Sequence, residues 1–153
     1  MIIASNIEKS FGPQVLFDGV SFLINPGERI GLVGKNGTGK STLFRMILGN
    51  EKQDAGTLST PKGYRIGALE QHIHFTQPTV LAECIQALPA EKQWDHYKAE
   101  IILSGLGFTE QDFQKDPTTF SGGFQVRINL CKALLADPNM LLLDEPTNYL
   151  DIL

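Results

Sequence analysis

With 153 residues and a mass of 16.9 kDa, the chain has the length of one domain with a core of its own. A net charge of −4 supplies no basic field for a nucleic-acid backbone, and a hydrophobic content of 42% is ordinary for a globular protein. No apolar run approaches the roughly 18 residues of a membrane span, Met1-Ile2-Ile3-Ala4 lacks the order of a signal peptide, and Cys84 and Cys131 alone make no disulfide framework, so a soluble chain in a reducing cytoplasm is expected.

In chain order, Met1 to Ile7 and Val20 to Ile24 are predicted strands, the second ending at the turn signal Asn25-Pro26-Gly27. Glu28 to Val33 is a short apolar run predicted as a strand that enters a glycine-rich turn. Lys40 to Leu48 then carries helical spacing and stops at Gly49. Two further strands are predicted in Gly56 to Ser59 and Tyr64 to Leu69. A mainly helical region follows from Thr79 to about Phe113, broken near Gly105 to Gly107. Ser121 is placed to cap a helix reaching Ala136, with Val126, Leu130, Ala133 and Leu134 on one face. Met140 to Leu143 is apolar without alternation, as expected of a strand buried on both faces of a parallel sheet. The chain therefore reads as one α/β domain.

The strongest motif is Gly34-Lys35-Asn36-Gly37-Thr38-Gly39-Lys40-Ser41, which matches G-x-x-x-x-G-K-[ST] at every fixed position, with Thr42 next in the helix. A triphosphate needs several inward-pointing backbone N–H groups. Glycine permits them by tolerating positive φ and by leaving room for the oxygens. The helix that follows adds the positive end of its dipole. Lys40 would reach the β- and γ-phosphates and Ser41 would take one position on Mg²⁺. The alternative, a glycine-rich turn that merely starts a helix, is disfavoured by the placement between an apolar run and a helix.

At the end of the last apolar run, Asp144 would hold Mg²⁺ and Glu145 would act as general base on the attacking water. In isolation an Asp-Glu-Pro sequence reads as a strand ending in solvent; the upstream loop reverses that preference. Ser121-Gly122-Gly123 opens a helix with two glycines and is a second candidate phosphate contact, against the local reading of a serine N-cap. His72 and His74 form an H-x-H pair without further ligands, and no transition metal is assigned to them.

The phosphate loop, Gln71 after a strand, Ser121-Gly122-Gly123-Phe124-Gln125 and the strand ending in Asp144-Glu145 resemble, in this order, the ATPase domain of the ABC (ATP-binding cassette) family. The resemblance covers nearly the whole chain. It implies the ABC-type phosphate-loop (P-loop) NTPase fold, with a small antiparallel β part and a shortened helical subdomain at about 78–120. It implies ATP with Mg²⁺ as ligands and a role for Gln71 at the metal and the water. Phe11 is placed like the aromatic that stacks on adenine, with an ordinary core aromatic as an equal reading.

Glu145-Pro146-Thr147-Asn148-Tyr149-Leu150-Asp151 is similar to the E-P-T-N-H-L-D string of the ABC-F branch, and Asn36 and Phe124-Gln125 agree. That branch implies two cassettes closing head to tail, so that Ser121-Gly122-Gly123 of one meets the γ-phosphate held by the other, with Asp151 at the junction. It also implies a ribosome-associated translation or antibiotic-resistance factor without direct membrane insertion. A transporter ATPase subunit and a truncated, non-hydrolysing nucleotide-binding module are the alternatives. The expectation is an N-terminal part of a first cassette: the family's switch histidine and second cassette lie outside the sequence, and the helical arm between Gln71 and Ser121 looks reduced around Trp94, Tyr97 and Lys98.

Overall fold

The computed structural model describes residues 1–69, 73–92 and 94–144. They divide into two compact units, the first spanning Met1–Tyr64 and the second beginning at Arg65.

The first unit is an antiparallel sheet with a helix on one face. Strand β1 (Ile2–Phe11) lies between β2 (Gln14–Ile24) and β3 (Ala55–Ser59) among the described residues. Both early strands run longer than predicted, because the hairpin turn at Gly12 lets pairing extend to Phe11 and Gln14. Alternation along β1 is interrupted: Ile2 and Ala4 point inward, and so do Ile7 and Lys9. The phase change sits at Asn6, which has φ 49°, donates its backbone N–H to Ser21 Oγ (2.8 Å), and marks a bulge in both pairings. Opposite it, Gly56 has φ 82°, and a Cβ there would stand 2.1 Å from the Asn6 carbonyl oxygen. Only glycine fits.

Helix α1 (Lys40–Ile47) packs Met46 and Leu43 against Ala4, Ile7, Phe17, Phe22 and Leu58. At the edge of this core Lys9, 8% exposed, donates to Glu51 Oε1 (2.7 Å), Lys52 O (2.8 Å) and Asp54 Oδ1 (3.3 Å). The run Glu28 to Val33 forms no strand, contrary to expectation. A strand exists through the ladder of a neighbour, and within the described part of this unit none reaches it. Val33 is 94% exposed.

The second unit pairs β4 (Ile66–Ala68) with β5 (Met140–Leu142) in parallel, Ala68 opposite Leu142, and Leu69 N–H extends the ladder to Leu142 O at 3.1 Å. Helix α2 (Val80–Ile85) is capped by the Thr79 hydroxyl on Ala82 N–H, α3 (His96–Gly105) ends at the predicted glycine break, and α4 (Gly122–Leu135) follows Ser121. Val80, Cys84, Ala99, Leu103, Phe108, Phe113, Ile128, Cys131 and Leu135 form their common core. Helix α4 is buried on two sides. Ile128, Cys131 and Leu135 join that core, while Ala133 lies where a Cβ on Gly67 of β4 would meet its carbonyl oxygen at 3.1 Å. Of the predicted face, Val126 and Ala133 are buried and Leu134 is exposed, while Ile128, Cys131 and Leu135, outside that face, are buried as well. The turn after α4 is held by Asp137, at φ 51°, whose carboxylate receives Arg65 and Lys92.

Glu83 is fully buried in this unit. Thr76 N–H and Gln77 N–H each donate to its Oε2 at 2.8 Å, and Gln86 Nε2 and Lys132 Nζ donate to Oε1. Burial by itself raises the carboxyl's affinity for a proton, but the Lys132 ammonium and the two backbone donors outweigh it and hold the pKa below its ordinary 4.5.

Gly49, at φ 78° with open space around it, and Gly56 both favour glycine for conformation, worth about 1–2 kcal/mol each, but only Gly56 also faces backbone. In urea unfolding, Gly56→Ala is expected to cost clearly more than Gly49→Ala. For Glu83, a depressed folded pKa means stability present above pH 4.5 and lost as pH falls through the folded value. The stability gap between wild type and Glu83→Gln is therefore constant near neutrality and narrows below about pH 4.5 in acid-denaturation series.

Candidate functional site

The first unit carries the phosphate loop and Phe11. Between Gly34 and α1 the backbone turns through two left-handed glycines, Gly37 (φ 81°) and Gly39 (φ 100°). Gly39 occupies the N-cap position of α1, and Leu43 N–H returns to its carbonyl at 2.8 Å. The Thr38 hydroxyl donates to Lys35 O (2.8 Å), tightening the loop from inside, and would lie 2.8 Å from a Cβ on Gly34. Lys40 extends from the first turn back across the loop, where its ammonium donates to Gly34 O (2.8 Å) and Lys35 O (3.1 Å). A cation at the mouth of a helix N-terminus is an electrostatic arrangement for an anion. The dipole and the ammonium act in the same direction.

Beside the loop is a cleft of about 320 Å³ bounded by Phe17, Leu32, Val33, Gly34, Thr38, Gly39, Lys40 and Leu43. Thr42 is buried, with its hydroxyl near Arg45 Nη2 at 3.5 Å. Phe11 ends β1 half-exposed, its ring 4.9 Å from the Lys9 ammonium. The hairpin that carries it is tied to the loop, because Gln14 Nε2 donates to Gly37 O at 3.3 Å. Gln14 and Phe17 gave no signal in the sequence: both touch the loop through space from β2, and neither stands in a motif.

The second unit carries Asp144 and Ser121-Gly122-Gly123. Asp144 lies two residues beyond β5, whose parallel neighbour is β4. Gln71 and Glu145, like His72 and Thr147 to Asp151, lie outside the described residues. Ser121 stands at the N-cap of α4 with extended backbone, and its carbonyl accepts the first helical bond from Gln125 N–H (2.9 Å). Its side chain makes no capping bond, contrary to the local expectation. The helix start is fixed from behind instead. Gln125 Nε2 donates to Phe120 O (2.9 Å) and Thr118 O (3.3 Å), Arg127 donates to Leu106 O (3.1 Å) and covers the Phe124 ring, and Phe108, Phe120 and Phe124 stack edge to face or tilted.

A lysine reaching over a glycine loop ahead of a helix defines a nucleotide-binding cassette of the P-loop class. Residues 17–148 match the family model described as ABC transporter, and the chain belongs to that family. Among curated relatives, the energy-dependent translational throttle protein EttA of Escherichia coli K12 is 38% identical over 151 residues, covering 97% of this chain and 27% of EttA. YheS of the same strain is 31% identical over 182 residues, covering 99% of this chain and 29% of YheS. The chain thus spans less than a third of either relative. The solved bacterial ABC transporter cassette MJ0796, a dimer, superimposes with TM-score 0.78 over 99% of this chain and 76% of its own, at 24% identity. The fold is that of ABC ATPase cassettes.

Gly39 tests how much of the loop rests on glycine. A Cβ there would stand 2.9 Å from the Phe17 ring, in addition to the left-handed φ. Gly39→Ala is expected to destabilise by more than the roughly 1–2 kcal/mol of the backbone term. Adding Phe17→Leu should recover the contact part only, read as urea midpoints of the three proteins.

Proposed function

We propose that the chain binds Mg-ATP at Gly34 to Ser41 and hydrolyses it as a cassette of the ABC-F branch, within a ribosome-associated translation or antibiotic-resistance factor of the cytoplasm. The observation that carries the nucleotide reading is the loop itself: Lys40 folded over Gly34 and Lys35 ahead of α1, with left-handed Gly37 and Gly39. The donor set fits the ligand. An ammonium, a hydroxyl and backbone N–H groups at a helix start are donors for phosphate oxygens.

In this reading Gly34, Lys35, Asn36, Gly37, Thr38, Gly39 and Thr42 belong to the phosphate site, and Phe11 is offered to the adenine. Lys40 exchanges its carbonyl partners for β- and γ-phosphate oxygens. Ser41, Asp144 and Gln71 would hold Mg²⁺, which neutralises charge on the phosphates when bound. Glu145 would accept a proton from the attacking water. Ser121, Gly122 and Gly123 would face the γ-phosphate of a second cassette, a reading supported by the dimeric cassettes that share the fold. Thr147-Asn148-Tyr149 and the likeness to EttA support the ABC-F branch and, through it, the ribosome as partner.

Titration with a fluorescent ATP analogue tests the site. Charge-assisted hydrogen bonds contribute about 1.5–3 kcal/mol, so Lys40→Ala is expected to weaken binding roughly tenfold to a hundredfold. Equal affinities for the two proteins would overturn the assignment. Glu145→Gln should keep binding and lower turnover by about 10²–10⁴ if it is the base.

A further inference from the structure

The hairpin that joins β1 to β2 turns at Gly12 and Pro13, so Phe11 and Gln14 stand opposite each other as a backbone pair. Gly12 has φ 58° and proline fixes its own φ, which leaves the turn few ways to move. From this pair the two side chains go to different neighbours. Gln14 reaches the phosphate loop, donating from Nε2 to Gly37 O at 3.3 Å. The Phe11 ring lies 4.9 Å from the Lys9 ammonium, itself held by Glu51, Lys52 O and Asp54. Asp54 Oδ2 also accepts from Ser10 N–H (2.7 Å) and the Ser10 hydroxyl (3.1 Å), which pins the backbone immediately before Phe11.

We propose that Gln14 is a positioning residue: through Gly37 it sets the span between the Phe11 ring and the phosphate loop, so that a nucleoside triphosphate meets both at once. This rests on the nucleotide reading above, with Phe11, 47% exposed, as the surface offered to the base. A base and a triphosphate are joined through one sugar, so their partners must stand at one separation. Where the protein fixes that separation before binding, the ordering cost is not charged to the ligand. Lys9 and Asp54 hold the Phe11 end of β1, and Gln14 ties the hairpin to the loop. Removing the tie frees the hairpin tip from the loop and leaves Lys40 and the loop backbone in place.

Competition against a fluorescent ATP analogue, with Mg²⁺ present, compares ATP with inorganic tripolyphosphate on wild type, Gln14→Ala and Gln14→Met. Methionine keeps the length of the side chain without charge or donor. Gln14 is exposed, so neither substitution should shift the urea midpoint. Both are expected to weaken ATP about threefold to tenfold, the weight of one hydrogen bond, and to leave tripolyphosphate within twofold, since that ligand reaches the loop alone. In a Phe11→Ala background, Gln14→Met should cost ATP nothing further.

Equal losses for ATP and tripolyphosphate would show that Gln14 shapes the loop rather than the span, and would overturn the proposal. Unchanged ATP affinity in Gln14→Met, or a full further loss in the Phe11→Ala background, overturns it as well. Failure of the underlying reading is seen separately. Lys40→Ala binding ATP like wild type removes the nucleotide site, Phe11→Ala binding ATP like wild type removes the base platform, and either result takes the proposal with it.

Discussion

A charge removed from water must be met by partners, and in each unit one such charge draws distant segments together. In the first unit it is Lys9, pointing inward from β1, which recruits Glu51, the Lys52 carbonyl and Asp54 from the connection between α1 and β3. The pKa of Glu51 lies below its ordinary value and that of Lys9 above, chiefly through the hydrogen bond they share. In the second unit it is Glu83, which recruits a loop backbone and a lysine from another helix. Apolar contacts by themselves, being non-directional, tolerate several arrangements. The charges do not, because an unpaired buried ion costs more than a displaced methyl group.

At the phosphate loop the same requirement is met in the opposite way. There the donors are main-chain groups and a flexible lysine, and the loop is shaped by what it excludes. Side chains at Gly34 and Gly39 would strike Thr38 and Phe17, and the left-handed turns at Gly37 and Gly39 are open to glycine at little cost. Lys40 meanwhile has carbonyl partners of its own. An anion must therefore compete with Gly34 and Lys35 for the ammonium, which it can do because a charged oxygen is the stronger acceptor.

How far the sequence foretold this arrangement depends on whether the determining interaction is local. The loop, α1 and the helix start at Thr79 were legible because their cause lies within a few residues: glycine spacing, helical period, a proline and a threonine ahead of an apolar turn. The parallel pairing of β5 was legible because an unbroken apolar run needs two covered faces. Glu28 to Val33 has the same apolar character yet forms no strand, since a strand is completed by a neighbour and composition cannot supply one. Leu134 was placed on the wrong side because a single apolar face was assumed for a helix buried on two. Gln14, Phe17 and Glu83 were missed for a related reason: each acts across a gap in sequence, on Gly37, on Gly39 and on Lys132. Glutamate in an amphipathic helix gives no sign of whether it faces water or a lysine.

The start of α4 shows what such through-space contacts make possible. A helix N-terminus is ordinarily secured by its capping side chain, but Ser121 makes no such bond. The anchoring is moved inward, to Gln125 gripping the carbonyls of Thr118 and Phe120, to Arg127 reaching Leu106, and to the cluster of Phe108, Phe120 and Phe124. With the helix held from behind, the Ser121 side chain ahead of it is not needed to anchor its start. A substitution at Ser121 is therefore expected to cost less stability, read as a urea midpoint, than loss of an N-cap hydroxyl ordinarily does.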